Sequence, residues 1–578
     1  MSLVPSVARQ AALSPRWPSL SWAQVGVLAL LGAVGFYVLY PLILILLNSF
    51  NVARIGQAPV YSLQPWIDAW SASDVFPSLW TTLQLAFWYQ LISFPIGILI
   101  AWLLARTNVP WARGLELMFW LSFFVPMLST TLGWMLLADP RTGVLNQLAI
   151  NILGIKQGPF NVYSFWGIVW VQLMAHAVSS KVMLLTPAFR NMDAALEEAG
   201  RMSGANNWVT MLRVTLPVMT PALIIVAMLA LVRIFESFEI ELLLGVPAGI
   251  YVYSTKILNL LRQEPPLIGQ ASALGSVTLL LLLVAAPVQR WLTTRRDYAT
   301  VSGRMRTSLI DLGRWRWPVF ALVALLVAML VLVPVLSIIL ASFMTRFGFF
   351  TLAQTWTLAN WQRTLGDAIF VRSLTNTLVL ALSAAIIGPL IFSVIAYVVV
   401  RAKRVWGRSL LDLLLWVPSV IPGALAGLGL LWMFVGTPIF HPVYGTIFVL
   451  IIAAVMGTVT LATQLFKATL LQLGPEMEEA ARMSGANAIR TYFRIVLPLL
   501  APTLVLVGTL KFLFAANATA SIILLATSET RTLSLLTLDF VAEGLRESAA
   551  VTTVIITALT TGVALAARAL GLNVGLRA

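Results

Sequence analysis

The sequence predicts an all-α integral membrane protein of about twelve transmembrane helices, arranged as two parallel repeats of six. Three observations predict it. Of the 578 residues, 60% are hydrophobic and only 10% charged, more apolar surface than a soluble chain of this length could enclose. Many separate apolar runs reach the ~20 residues that a helix needs to cross a bilayer, and they mix Leu, Ala, Val and Gly without the alternation of barrel strands. Finally, one polar segment set between apolar runs occurs twice. It reads Glu198-Ala-Gly-Arg-Met-Ser-Gly-Ala-Asn, leading to Leu216-Pro217, and Glu479-Ala-Ala-Arg-Met-Ser-Gly-Ala-Asn, leading to Leu497-Pro498, with the same 281-residue offset at both ends.

Residues 1–21, with Arg9 and Arg16, read as a short cytoplasmic tail. The first apolar run, about 22–47, is too long for the apolar region of a signal peptide and no small-residue cleavage site follows it, so it reads as a helix of the mature protein. Five more spans follow at about 79–105, 115–137, 164–186, 220–244 and 273–292. The stretch 290–317 then holds Arg290, Arg295, Arg296, Arg304, Arg306, Arg314 and Arg316 against Asp297 and Asp311, and reads as a cytoplasmic linker. Six further spans are expected at about 318–343, 373–400, 411–435, 444–470, 503–526 and 549–570. The chain thus divides into a first half (1–295, motif at about 191–217), a basic linker (296–316) and a second half (317–578, motif at about 474–498).

A net charge of +15 could signal nucleic-acid binding in a soluble domain. Here the basic residues gather in alternate loops, which is the positive-inside pattern. With the N-terminus inside, the Arg106/Arg113 loop, both motifs, the linker and the Arg401/Lys403/Arg404/Arg408 loop share one side, while opposite loops mix signs, as Arg363 does with Asp367. Both termini are then cytoplasmic, in a multi-pass protein of the bacterial inner membrane. Thr82-Leu83 recurs as Thr377-Leu378, and Arg106, Trp111 and Arg113 recur as Arg401, Trp406 and Arg408, at an offset of 295. An even number of spans separates the copies, so the halves run parallel and form a pseudo-dimer around a central path. There are no cysteines, His176 and His441 stand far apart, and no Gly-x-x-x-x-Gly-Lys-Ser/Thr loop occurs. No catalytic or metal-binding constellation emerges, and a membrane-embedded enzyme is disfavoured.

Each motif should form a helix–turn–helix outside the bilayer. Asp193 and Gly474 are placed to cap a first short helix, with Pro475 at its first position. Gly204 and Gly485 are placed to end it. A second short helix should run to Leu216-Pro217 and Leu497-Pro498. A turn as small as Ser-Gly-Ala can enter a cleft on a partner protein.

The spacing Glu-Ala-Ala, three residues, Gly, nine residues, an aliphatic, one residue, Leu-Pro resembles the motif of the permeases of binding-protein-dependent (type I) ABC importers. It is carried by Glu198, Ala199, Gly200, Gly204, Val214, Leu216 and Pro217, and by Glu479, Ala480, Ala481, Gly485, Ile495, Leu497 and Pro498. Gly200 departs from the pattern, at a helix cost of up to ~1 kcal/mol. The resemblance implies the type I permease fold, with each motif a coupling helix. It further implies two ABC ATPase subunits on the cytoplasmic side, which carry the ATP and Mg, so that this chain binds no cofactor and is not an enzyme. It implies a periplasmic solute-binding protein as the other partner, and no nucleic acid. The segment from Phe235 through Gly245-Val-Pro-Ala-Gly-Ile, with the fusion of two six-helix halves, resembles the ferric-iron permeases and, in length, the thiamine permeases. Ferric iron is the implied cargo, with thiamine, polyamine, phosphonate or an oxyanion as alternatives. An ion-coupled secondary transporter, the alternative of another class, has no need of two matched docking motifs.

Charges within the membrane are expensive and mark cavities or partners. The fifth span holds Arg233, Glu236, Glu239 and Glu241, with Glu236 and Glu239 on one helix face and Arg233 a turn earlier. They read either as a lining of the translocation path or as an ion pair locking helices. The second half has Lys511, Asn517 and Thr519 in this region, so the candidate path residues are Arg233, Glu236, Glu239 and Asn517. Lys181 is expected to snorkel to the interface, and His176 to sit in the core.

Overall fold

The computed structural model describes residues 22–53, 57–232, 237–294, 309–350, 352–402 and 406–569. The N-terminal tail, most of the linker, Arg233, Glu236, Lys403 and Arg404 lie outside the described residues. The described chain is helical throughout, with only three isolated β-bridges.

Among the described residues, seven helices are long and apolar enough to cross a membrane singly: Gln24–Asn48, Val75–Arg106, Phe165–Arg190, Asn207–Ala230, Gly313–Ser342, Ala368–Arg401 and Arg546–Ala569. Four bent pairs bring the count to as many as 11. The place of the expected sixth span belongs to the helix Ile268–Thr294, whose side chains are described to Leu281.

The bends correct the expectation of straight spans. The third expected span is two helices, Ala112–Phe124 and Met127–Ala138, meeting at 96° around Pro126, which supplies no N–H to continue a helix. The ninth breaks before Pro422. The tenth bends by 53° between Met456 and Val459. The eleventh, expected at 503–526, is the helix Ala501–Ala516, set at 73° to Ala488–Leu499 before it, and residues 517–526 are not helical.

Several short helices escaped the sequence reading, among them Gln64–Ser71, Val144–Leu153 and Ala359–Gly366, and two more form a matched pair. Tyr253–Arg262 and Leu533–Ala542 are short, and occupy the same place in each repeat. The repeated threonines hold them: Thr82 Oγ1 accepts the backbone N–H of Tyr253 at 2.8 Å, and Thr377 Oγ1 that of Leu533 at 2.8 Å. A helix N-terminus presents N–H groups without intrahelical partners, and each threonine satisfies one.

The first helix of each half packs on the other half. Trp22–Asn48 lies on Gly423–Gly436, and Val333–Ser342 lies on Met127–Ala138. Proline meets glycine at both crossings. A Cβ on Gly429 would come within 2.9 Å of the Pro41 carbonyl, and one on Gly133 within 2.6 Å of Pro334. Tyr37 and Tyr40 add hydrogen bonds to Ile452 O (2.5 Å) and Thr437 Oγ1 (2.8 Å).

On the side opposite the motifs, Asp139 caps its own turn by accepting from the N–H groups of Arg141 (2.9 Å) and Thr142 (3.0 Å). It also receives Arg546 Nη1 of the second half at 2.9 Å. Burial alone would raise the Asp139 pKa, but the two backbone donors and the guanidinium outweigh it and hold the carboxyl below the usual aspartate value.

Candidate functional site

Both motifs fold locally as their residues dictate, with two corrections. The first helix of the first motif is Ala194–Met202, capped by Asp193, whose side chain accepts the Ala195 N–H at 3.0 Å. In the second motif the helix is Glu476–Met483 and its cap position is Pro475, not Gly474. Proline there lacks a cap side chain, and the acidic first turn of Glu476, Glu478 and Glu479 faces the helix N-terminus instead. Gly204 and Gly485 end the helices with φ of +85° and +82°. In each, the glycine N–H bonds to Arg201 O or Arg482 O (2.9 Å in both), and the next N–H reaches Gly200 O (3.2 Å) or Ala481 O (3.0 Å), the paired bonds of a Schellman ending.

The other correction is at Leu-Pro, where the second helix does not stop. It starts at the Asn206 and Asn487 caps, passes through π-turns Met211–Thr215 and Tyr492–Val496, and continues past Pro217 and Pro498. The wider turn shifts the hydrogen bonding (Leu216 N–H reaches Met211 O), so a proline that cannot donate is carried without a stop. In the first half the motif therefore runs directly into a span, Asn207–Ala230.

The shared residues form the outer tip. Met202 is 90% exposed and Met483 89%. Around them Leu196, Trp208 and Leu212 are exposed in one loop, and Met477, Ile489 and Phe493 at the same positions in the other. Glu198 is half-buried and Glu479 exposed.

What anchors the tips lay outside the sequence reading. Glu197, the residue before the motif glutamate, is buried against Arg106, the last residue of Val75–Arg106, each side chain 1% exposed. Arg106 Nη2 and Nε donate to Glu197 Oε2 at 2.6 and 3.1 Å, and Nη1 to Met192 O at 3.1 Å. Thr215 donates to Glu197 Oε1 at 2.8 Å. In the second half Arg401 Nε donates to Glu478 Oε1 at 2.7 Å and Nη2 to Leu473 O at 3.0 Å. Here Tyr397 donates to Glu478 Oε2 at 3.0 Å, and the pair is 17% and 7% exposed. The signal was present but split: the arginines repeat at 295 residues and the glutamates at 281, so no single offset joins them.

The candidate path is only partly brought together. Arg233 and Glu236 fall outside the described residues. The helix is described to Val232, residues 237 and 238 are not helical, and Glu239 opens a turn leading into the π-turn Glu241–Gly245, so the fifth span is not one continuous helix to residue 244 as expected. Glu239 hydrogen-bonds Thr519 of the second half. Glu241 turns back into its own half: its Oε1 accepts from Gln172 Nε2 at 2.7 Å and from Ser237. Glu241 Oε2 and Asn517 Oδ1 are buried without hydrogen-bond partners. Nearby, a cleft of about 420 Å3 lies between the halves, lined by Leu258, Leu261 and Arg262 from one and Trp432, Tyr444 and Ile523 from the other.

Lys181 does not snorkel. It is 2% exposed, donates to Ala177 O at 3.0 Å and lies 4.9 Å from the Phe94 ring centroid. Gly97 makes the room, since a Cβ there would meet Lys181 Cβ at 2.6 Å. His176 packs edge-on against Phe123, ring centroids 5.4 Å apart.

Residues 389–574 match the family described as binding-protein-dependent transport system inner membrane component. Among curated relatives, a ferric transport system permease protein of Actinobacillus pleuropneumoniae is 28% identical over 420 residues, 70% of this chain and 58% of that protein. A probable ABC transporter permease of Sinorhizobium fredii is 29% identical over 60% of this chain and 62% of its own. A putative ferric transport system permease of Haemophilus influenzae is 28% identical over 68% and 61%. The matched region therefore spans about six-tenths of the length of these relatives. A solved bacterial ABC transporter that imports the polysaccharide alginate aligns over 47% of this chain and 96% of its own, with TM-score 0.40 and 19% identity.

Proposed function

We propose, from the match of residues 389–574 to the family of binding-protein-dependent transport system inner membrane components, that the whole chain is the permease of an ATP-driven importer and forms the path for its cargo. The observation that carries this reading is the duplicated docking loop. Two tips with the same Arg-Met-Ser-Gly-Ala-Asn sequence each expose a methionine almost completely, and a lone surface loop has no reason to do so twice. Exposed apolar residues stand at matching positions around the two tips, which fits two copies of one partner, or two closely related ones. In this reading the partners are ABC ATPases on the cytoplasmic side, which hold ATP and Mg and carry out hydrolysis. Both termini are cytoplasmic, and a periplasmic solute-binding protein delivers cargo to the opposite face.

Ferric iron is the proposed cargo. The printed names of two relatives support it. Alternating access is the mechanism: closure of the ATPase pair draws the loops together and opens the path outward, and hydrolysis resets it. Purification in mild detergent with native mass spectrometry tests the reading. Two ATPase subunits per chain are expected. A chain that runs alone, even after crosslinking through Ser203→Cys and Ser484→Cys, would make the secondary transporter the better account.

A further inference from the structure

We infer that Glu197 and Glu478 are positioning residues that transmit movement of the docking loops across the membrane, each through its arginine and one long helix; this rests on the permease reading above. The loop is tied to the helix end at two points. Arg106 holds the Glu197 carboxylate and the Met192 carbonyl, and Arg401 holds Glu478 and the Leu473 carbonyl. The docking helix and the segment leading into it are therefore both tied to the arginine.

The arginines terminate helices of 32 residues (Val75–Arg106) and 34 residues (Ala368–Arg401). At about 1.5 Å per residue these are roughly 50 Å long, more than the hydrocarbon core. Both remain continuous through an internal proline, Pro95 or Pro389. Toward the far end, Thr82 and Thr377 hold the first residues of Tyr253–Arg262 and Leu533–Ala542. The first of these short helices supplies Leu258, Leu261 and Arg262 to the cleft between the halves. A contiguous line thus runs from docking helix to ion pair, long helix, threonine and cleft wall. The line as far as the threonine and its short helix is built in both halves, although its members sit at two different sequence offsets; the first half carries it on to the cleft. A buried ion pair is a poor device for stability alone, because desolvation offsets most of its attraction. Its double occurrence under the loops fits a linkage that must not slip.

Spatial continuity does not establish coupling; a double-mutant cycle does. The complete complex, with ATPase subunits and binding protein, is reconstituted in vesicles as the native chain, Glu197→Gln, Thr82→Val and the double variant. The ratio of binding-protein-stimulated to basal ATP hydrolysis is measured. Each single change is expected to leave the ATPase bound and basal hydrolysis within about twofold, and to lower the ratio about tenfold; the double change is expected to lower it no further. Multiplying effects in the double variant, an unchanged ratio, or loss of the ATPase from Glu197→Gln would overturn the inference. Arg106→Lys replaces Glu197→Gln, with the same readings, if the latter does not accumulate in the membrane. A native chain that retains no ATPase fails the permease reading itself, before any variant is compared.

Discussion

The two docking loops share their tips and differ at their bases. Six consecutive residues are identical at the tip, and the turn glycines adopt φ values 3° apart. Beneath the tip, the first loop seals its ion pair completely and closes it with Thr215. The second leaves its pair partly open, closes it with Tyr397, and brings Arg482 within 4.0 Å of the same carboxylate. At the Thr215 position the second half has Val496, which cannot donate. The surface offered to a partner is thus held fixed, while each half anchors it with whatever its own packing provides.

Removing the anchor acids is the most severe way to break this comparison. Glu197→Ala leaves Arg106 buried and unpaired and is expected to lower stability by about 3–5 kcal/mol. Glu478→Ala should cost distinctly less, because solvent reaches Arg401; unfolding midpoints in detergent check both. At the tips the halves should respond alike. Met202→Asp and Met483→Asp are expected to leave the midpoint unchanged, both side chains being exposed, and each to weaken ATPase retention by about thirtyfold. Pull-down at graded ATPase concentration reads this, and unequal effects would point to two different partners. Gly204→Ala and Gly485→Ala meet no neighbouring atoms, so only the left-handed backbone opposes them, at about 1–2 kcal/mol each.

The face opposite the motifs supplies the smallest test. Asp139 is held below its ordinary pKa, so its contribution is fully present above the unfolded value of about 3.9 and is lost as pH falls through the lower folded value. The unfolding midpoint should therefore be insensitive to this group near neutrality and fall on acidification, and Asp139→Asn should remove that part of the acid sensitivity.

Much of this arrangement was legible in residue patterns. Long apolar runs gave the membrane helices, and Asp193, Gly204 and Gly485 gave one start and two ends of the motif helices, since cap chemistry is local. What escaped was set by packing. The bend at Pro126 lies inside an apolar run that reads as one span. Tyr253–Arg262 and Leu533–Ala542 are too short to span and are held by threonines more than 150 residues away in sequence. Lys181 is buried because Gly97, on another helix, leaves room for it, which hydropathy along its own helix does not express. Glu197 is not singled out by its sequence, because nothing local marks which of two adjacent glutamates turns inward.

The exchange of first helices between the halves also dictates an order of events during synthesis. Trp22–Asn48 leaves the ribosome before any other described helix, yet its seat includes Arg408–Leu414 and Gly423–Gly436. From Asn48 to Arg408 is 360 residues, roughly 20–70 s of translation at about 5–20 residues per second. Through that interval Pro41 and the hydroxyls of Tyr37 and Tyr40 lack the Gly429, Ile452 and Thr437 contacts of the finished fold. Until then the nascent helix has Ile268–Thr294 of its own half to pack on, whereas Val333–Ser342 finds its cross-half seat on Met127–Ala138 already made.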